Sequence, residues 1–159
     1  MSQLHTIFLN LLNINNRSIF DTRPNHTLAF TGSLFIVSSW IAFGYDNYIT
    51  SLLSFALSMT SVSYHLDRTF TSFLLDQVAL YSVVSRSFVD GYHGGWPGLL
   101  IAFVVNGYNL FIYFGPMANY TAFHPNPTIA TRWHMSIHIF AILSIIVQQY
   151  CIYQNNGVF

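Results

Sequence analysis

The chain has 159 residues, 53% of them hydrophobic and 18% aromatic; only 6% are charged, with no lysine and no glutamate. Soluble domains carry about 25% charged residues, so the composition excludes a soluble globular domain. High hydrophobicity at zero net charge excludes a disordered chain and gives no reason to expect nucleic-acid binding, leaving an integral membrane protein. The single cysteine, Cys151, allows no internal disulfide and does not report the compartment.

Around residues 4–14, Leu4, Ile7, Phe8, Leu11 and Leu12 fall on one helical face, and Gln3, Thr6, Asn10 and Asn13 on the other. The stretch is too polar to span and lacks the basic region and cleavage site of a signal peptide. An amphipathic helix lying at the interface is expected. Five stretches follow that can cross about 30 Å of hydrocarbon at about 1.5 Å per residue: 28–45, 48–66, 70–89, 96–115 and 133–153. Gly44-Tyr45-Asp46-Asn47 separates the first pair, and Asp67-Arg68 makes a tight link between the second and third. A Gly/Pro loop over 90–98 leads to the fourth, which Gly115-Pro116 ends, and a polar loop with His124-Pro125-Asn126-Pro127 leads to the fifth. The expected fold is an all-α membrane protein, one domain over residues 1–159, built as a bundle of about five transmembrane helices. With five spans, Arg17, Arg23, Arg68 and Arg132 share one side, which positive-inside reasoning makes cytoplasmic. The three glycosylation sequons, at Asn16, Asn25 and Asn119, lie on that same side and pull the other way.

Ser61 and His65 stand four residues apart on one helix face, late in the second stretch. Asp76 lies one to two turns into the third. His134 and His138, again four apart, open the fifth beside Arg132. All five groups therefore fall in one half of the bilayer, on the arginine-rich side. Ionisable groups in hydrocarbon are costly, so they normally face the bundle interior and mark a working site. His65, His134 and His138 match the three protein ligands of a catalytic zinc, whose fourth position takes water. Zinc lowers the pKa of that water to about 7. Asp76 could orient a ligand or accept the water's proton, and Ser61 could donate to an oxyanion. Singly, each residue has an ordinary reading: a histidine or serine packing between helices, a carboxylate paired with a histidine. Together, at matching depth, they read as a metal site.

These residues resemble the CREST superfamily of membrane hydrolases, which includes the alkaline ceramidases. That family shows Ser-x-x-x-His late in one helix, an Asp eleven residues after that His in the next, and His-x-x-x-His in the last. Ser61, His65, Asp76, His134 and His138 stand here in that order and spacing. The segments SVSYHLDRTFTSFLLDQVAL and RWHMSIHIFAIL also resemble the ceramidase hairpin and final helix in texture. The resemblance implies Zn2+ held by His65, His134 and His138, with Asp76 and Ser61 as the catalytic residues flanking a zinc-bound water. It implies a membrane lipid substrate, cleaved at the amide bond of ceramide or a related sphingolipid, and an endomembrane (ER or Golgi) location if the source is eukaryotic. A branch that remodels lipid chains on GPI anchors shares the spacing and makes an ester substrate the alternative. The family has seven spans against five here. Two fewer spans before the last helix keep its direction but remove one cavity wall, which a homodimer could replace. The family's acidic N-terminal calcium site is not expected, since Asp21 is the only acid in the first forty-five residues.

The rival readings are a receptor or scaffold with a structural metal, and a small channel or transporter. Few polar groups beyond Arg86, Gln148 and Gln149 are expected in the second halves of the second, third and fifth spans, which counts against transport. Arg86 is expected to snorkel to the interface. Phe111, Tyr113, Phe114, Trp40 and Tyr45 read as an interfacial belt. His93 reads as a turn residue and Cys151 as inert packing. His124 reads as a solvated loop residue, with contact to a lipid headgroup the alternative.

Overall fold

Helices dominate the computed structural model of the chain, which describes residues 23–113 and 117–156. The expected helix at 4–14 and the Gly115-Pro116 stop lie outside the described residues. In chain order come α1 (His26–Ser33), α2 (Phe35–Gly44), α3 (Tyr48–Asp67), α4 (Phe70–His93), α5 (Gly95–Tyr113), a 3-10 turn (Ala118–Tyr120) and α6 (Pro127–Asn155).

The caps are written in the sequence. Asn25, Asn47 and Asn126 each accept a backbone N–H in the first turn of the helix that follows, and Pro127 sits at the first turn of α6. Thr69 and Ser72 form a reciprocal capping box at the start of α4. Arg68, at φ 52°, ends α3 in the left-handed conformation, so two residues suffice to turn α3 into α4. The α1–α2 rod is interrupted at Leu34. There the Ser33 hydroxyl donates to the Phe30 carbonyl, and the Ser58 hydroxyl of α3 donates to the Ser33 carbonyl. A Gly32-Ser33 pair with an inserted side chain is a recognised cause of a helix break.

The five expected stretches coincide with helical rods, and the corrections are at their ends. Helix α4 runs to His93, and α5 begins at Gly95, so the expected loop over 90–98 shrinks to a turn at Gly94 and Gly95 (φ +69°). Gly91 and Gly98 are helix-packing residues: a Cβ on Gly98 would stand 2.7 Å from the Gly91 carbonyl oxygen. The last helix starts at Pro127, because Asn126 and Pro127 together form a start signal. The loop before it plugs the end of the bundle. Ala118, Ala122 and Phe123 are buried with Tyr64, Phe73, Ile112, Tyr113 and Ile137, and the Thr121 hydroxyl donates to the Ile112 carbonyl at 2.8 Å.

Three rods, 26–44, 95–113 and 127–155, are long and apolar enough to cross a membrane. Helices α3 and α4, with 20 and 24 residues, would reach about 30 and 36 Å. Their polarity is turned inward: Ser54, Ser58, Ser61 and His65 of α3 are buried, as are Asp76, Gln77, Ser87 and Asp90 of α4. Leu52, Met59, Leu74 and Val78 on the same helices are more than half exposed. This inversion of the soluble pattern is consistent with an integral membrane protein.

A buried polar network closes the end of the bundle where α2 turns into α3. Arg86 Nε pairs with Asp90 Oδ1 at 2.9 Å and also donates to Thr50, while Asn47 links Arg86, Asp90 and Gln149. Arg86 therefore does not snorkel as expected; a carboxylate one turn away holds it. Asp90, expected in a loop, lies 1% exposed inside α4.

Candidate metal centre

The opposite end of the bundle gathers the predicted site. His65 lies in the last turn of α3 with Ser61 one turn earlier, and the short Arg68-Thr69 turn brings Asp76 back on α4. His134 and His138 occupy successive turns of α6, which packs against α4. The Asn25 amide donates to the His65 carbonyl at 2.8 Å, fastening the start of α1 to the same place.

The three imidazoles converge. Ring centroids are 5.0 Å apart for His65–His134, 5.5 Å for His65–His138 and 5.0 Å for His134–His138. One nitrogen from each ring lies within 4.8 Å of the others, so the trio could hold a metal ion. Nitrogens bonded to one tetrahedral zinc at about 2.0–2.1 Å stand about 3.4 Å apart, so small ring rotations close the triangle. His65 is 1% exposed, yet neither of its ring nitrogens has a hydrogen-bond partner. A buried polar group left unpaired costs about 1–3 kcal/mol. A shared cation would satisfy one of these nitrogens.

His138 shows how a ligand in this trio is oriented. Its Nδ1 lies 2.9 Å from the Thr31 hydroxyl of α1, and that hydroxyl lies 3.1 Å from the Leu28 carbonyl. The carbonyl can only accept, and Thr31 has one proton to give. Both contacts are satisfied when Thr31 donates to Leu28 and accepts from His138 Nδ1–H. The proton is then on Nδ1, and the Nε2 lone pair is free for a metal. Sequence reasoning missed Thr31, because a threonine in an apolar helix is ordinarily a packing residue.

Asp76 and Ser61 share one cleft with His134 and His138. Asp76 Oδ1 and Ser61 Oγ are buried and unpartnered, while the Thr60 hydroxyl sits beside the Asp76 carboxylate. Ser61 is pressed against α1 at Gly32, where a Cβ would come within 2.6 Å of its Oγ. The cleft is narrow, with room for water-sized groups of about 60 Å³, and its walls include Phe35, Leu57, Leu80, Val84 and Leu110. Gln77, Asn106 and Asn109 add polar groups to this wall and were also missed. The i, i+3 spacing of the two asparagines inside an apolar helix was the available signal. Tyr113, expected in the interfacial belt, is buried instead, its ring 5.5 Å from that of His134.

A second, wider space of about 600 Å³ lies beyond the trio, lined by residues of the α3–α4 turn, the start of α1 and the 117–127 loop. His134 borders both spaces. The predicted trio, base and serine thus sit together at one end. His93 ends α4 at the other, where its carbonyl accepts from Asn155.

Comparison of the chain with protein families, with curated proteins and with solved structures finds no match.

Proposed function

We propose that the chain is a metal-dependent hydrolase of membrane lipids, with zinc held by His65, His134 and His138. The observation that carries this reading is a buried His65 whose ring nitrogens have no hydrogen-bond partner, facing two further imidazoles, near a cleft between helices that holds Ser61 and an Asp76 with one unpartnered oxygen. The resemblance of the ordered set Ser61, His65, Asp76, His134 and His138 to the CREST superfamily supports the same reading. It takes all five rods as spans, supported by the outward apolar faces of α3 and α4.

Imidazole nitrogen suits zinc, and also copper, iron and nickel; three histidines with a nearby carboxylate favour zinc in hydrolysis. A bound zinc would supply Lewis acidity and a water that ionises near neutral pH. Asp76 would accept a proton from the attacking water and return it to the leaving nitrogen as the carbonyl carbon–nitrogen bond breaks. Ser61 donates a hydrogen bond to the carbonyl oxygen as negative charge builds there. Thr31 holds His138 in the binding tautomer. Gln77, Asn106 and Asn109 offer donors and acceptors to the amide or hydroxyls of a sphingolipid such as ceramide, beside an apolar wall. An ester in the same position would meet the same groups.

A closed structural clamp fits less well, because His134 borders two open spaces. A conduit fits less well because Arg86 and Asp90 at the far end are tied to each other and to Thr50 and Asn47.

The test is metal analysis of purified protein, followed by incubation with labelled ceramides and phospholipids. One equivalent of zinc, with product formed by the native chain and abolished in Asp76→Asn at unchanged metal content, is the expected result. Equal turnover in that variant removes Asp76 from the mechanism, and absence of any bound metal ends the reading.

A further inference from the structure

The wide space beyond the histidines has a chemistry of its own. Arg23, Arg68 and His124 line it, and among the described residues no carboxylate does. The Asp67 carboxylate, next in sequence to Arg68, is exposed and within reach of the Ser63 hydroxyl on α3. Arg68 is the key group. It occupies the left-handed C-cap position, where glycine or asparagine is usual, so its side chain is retained against the backbone preference. The guanidinium stacks over the Tyr64 ring, 5.4 Å from its centroid, and its Nε is buried with no hydrogen-bond partner. His124 Nδ1 accepts the Asn126 amide at 2.9 Å. Its neutral ring therefore carries its proton on Nε2 and keeps one donor to offer elsewhere. The Arg68 guanidinium and the His124 ring thus offer donors to the basin, and the fork of a guanidinium matches the oxygens of a phosphate.

We propose that this basin binds a phosphate group, presented by a lipid headgroup. The inference deepens the hydrolase reading only for the fate of the bound lipid: it names a phosphate-bearing lipid as the substrate class, in place of an uncharged ceramide. Binding itself does not depend on catalysis.

The full-length protein in maltoside micelles, which contain no phosphate, is titrated calorimetrically with dihexanoyl phosphatidic acid, dihexanoylglycerol and inorganic phosphate. Metal-loaded and metal-stripped samples are compared, so that phosphate held by Arg68 is separated from phosphate ligating the metal. Phosphatidic acid is expected to bind both samples and to weaken roughly 10- to 100-fold in Arg68→Gln, as loss of a charged hydrogen bond implies. His124→Ala, in a surface loop, is an independent variant expected to weaken it roughly 2- to 10-fold. Dihexanoylglycerol should be indifferent to both changes. Inorganic phosphate binding as tightly as phosphatidic acid would keep the phosphate site but make free phosphate its occupant. Phosphatidic acid binding no tighter than dihexanoylglycerol, or both variants binding it as the native chain does, overturns the proposal. Intact phosphatidic acid binding without hydrolysis of any lipid would instead overturn the enzymatic reading and leave the basin standing.

Discussion

Thr31→Val is the sharpest probe of the metal centre, because it changes one hydroxyl that touches no metal. In the native chain the Thr31 oxygen lies 2.9 Å from His138 Nδ1 and donates to Leu28, and both contacts are satisfied when Nδ1–H is the donor to Thr31. Valine is close to threonine in size at this buried position and differs by the hydroxyl. What is lost is the group that selects the His138 tautomer. The ring can then carry its proton on Nε2, and the metal must displace that form before it binds. Removing such an outer partner typically costs 10- to 100-fold in metal affinity, about 1.4–2.7 kcal/mol. Loss of one hydrogen bond at a buried group, about 1–3 kcal/mol, independently gives the same range. The assay is a zinc competition titration against a chromophoric chelator, with Thr31→Ser as the control that keeps the oxygen. Zinc affinity equal to native in Thr31→Val would refute the tautomer argument. So would a Thr31→Ser variant as weak as the valine one.

Gly32→Ala drives a Cβ against Ser61 Oγ and Cβ, at 2.6 and 3.0 Å, and should lower stability by about 1–3 kcal/mol in thermal unfolding. A second change, Ser61→Gly, should recover part of that loss. Gly98→Ala meets backbone at 2.7 Å and should destabilise more than Gly44→Ala, where nothing lies within 4 Å; equal effects would mean that α4 and α5 do not touch there. Asp90→Ala leaves Arg86 without its carboxylate. It should cost about 3 kcal/mol, the low end for a buried pair because Arg86 is 22% exposed, with zinc affinity unchanged since the network lies at the far end.

The candidate site was legible because its residues are expensive where they stand. A histidine pair four apart in an apolar stretch, and a carboxylate in another, have few cheap explanations, and helical spacing fixes their faces. The tight α3–α4 turn then set His65 and Asp76 at one depth without any tertiary information. Thr31 was not legible, because its role depends on α1 lying against α6, a long-range contact that no local pattern reports. Asp90 and Gly98 were misread for a related reason. Glycine and aspartate signal turns when read locally, but here they pack one helix against another or anchor an arginine inside the bundle. Hydropathy alone also understates α3 and α4. They carry the site, so their averages fall, and only the separation of buried polar from exposed apolar faces shows how they fit a membrane.

The position of His134 links the two spaces to the chemistry that hydrolysis requires. A lipid carbonyl lies below the headgroups, while the water that attacks it must come from outside the hydrocarbon. His134 stands seven residues into α6, about 10 Å below the start of that helix. On one side of it the cleft offers apolar walls at the depth of an acyl chain; on the other the basin is ten times roomier and lined by arginine. A metal held at this point would touch both spaces, with the Arg86–Asp90 pair at the far end of the bundle. Burying the trio deeper would strand the reaction from its water, and raising it to the helix ends would strand it from its lipid.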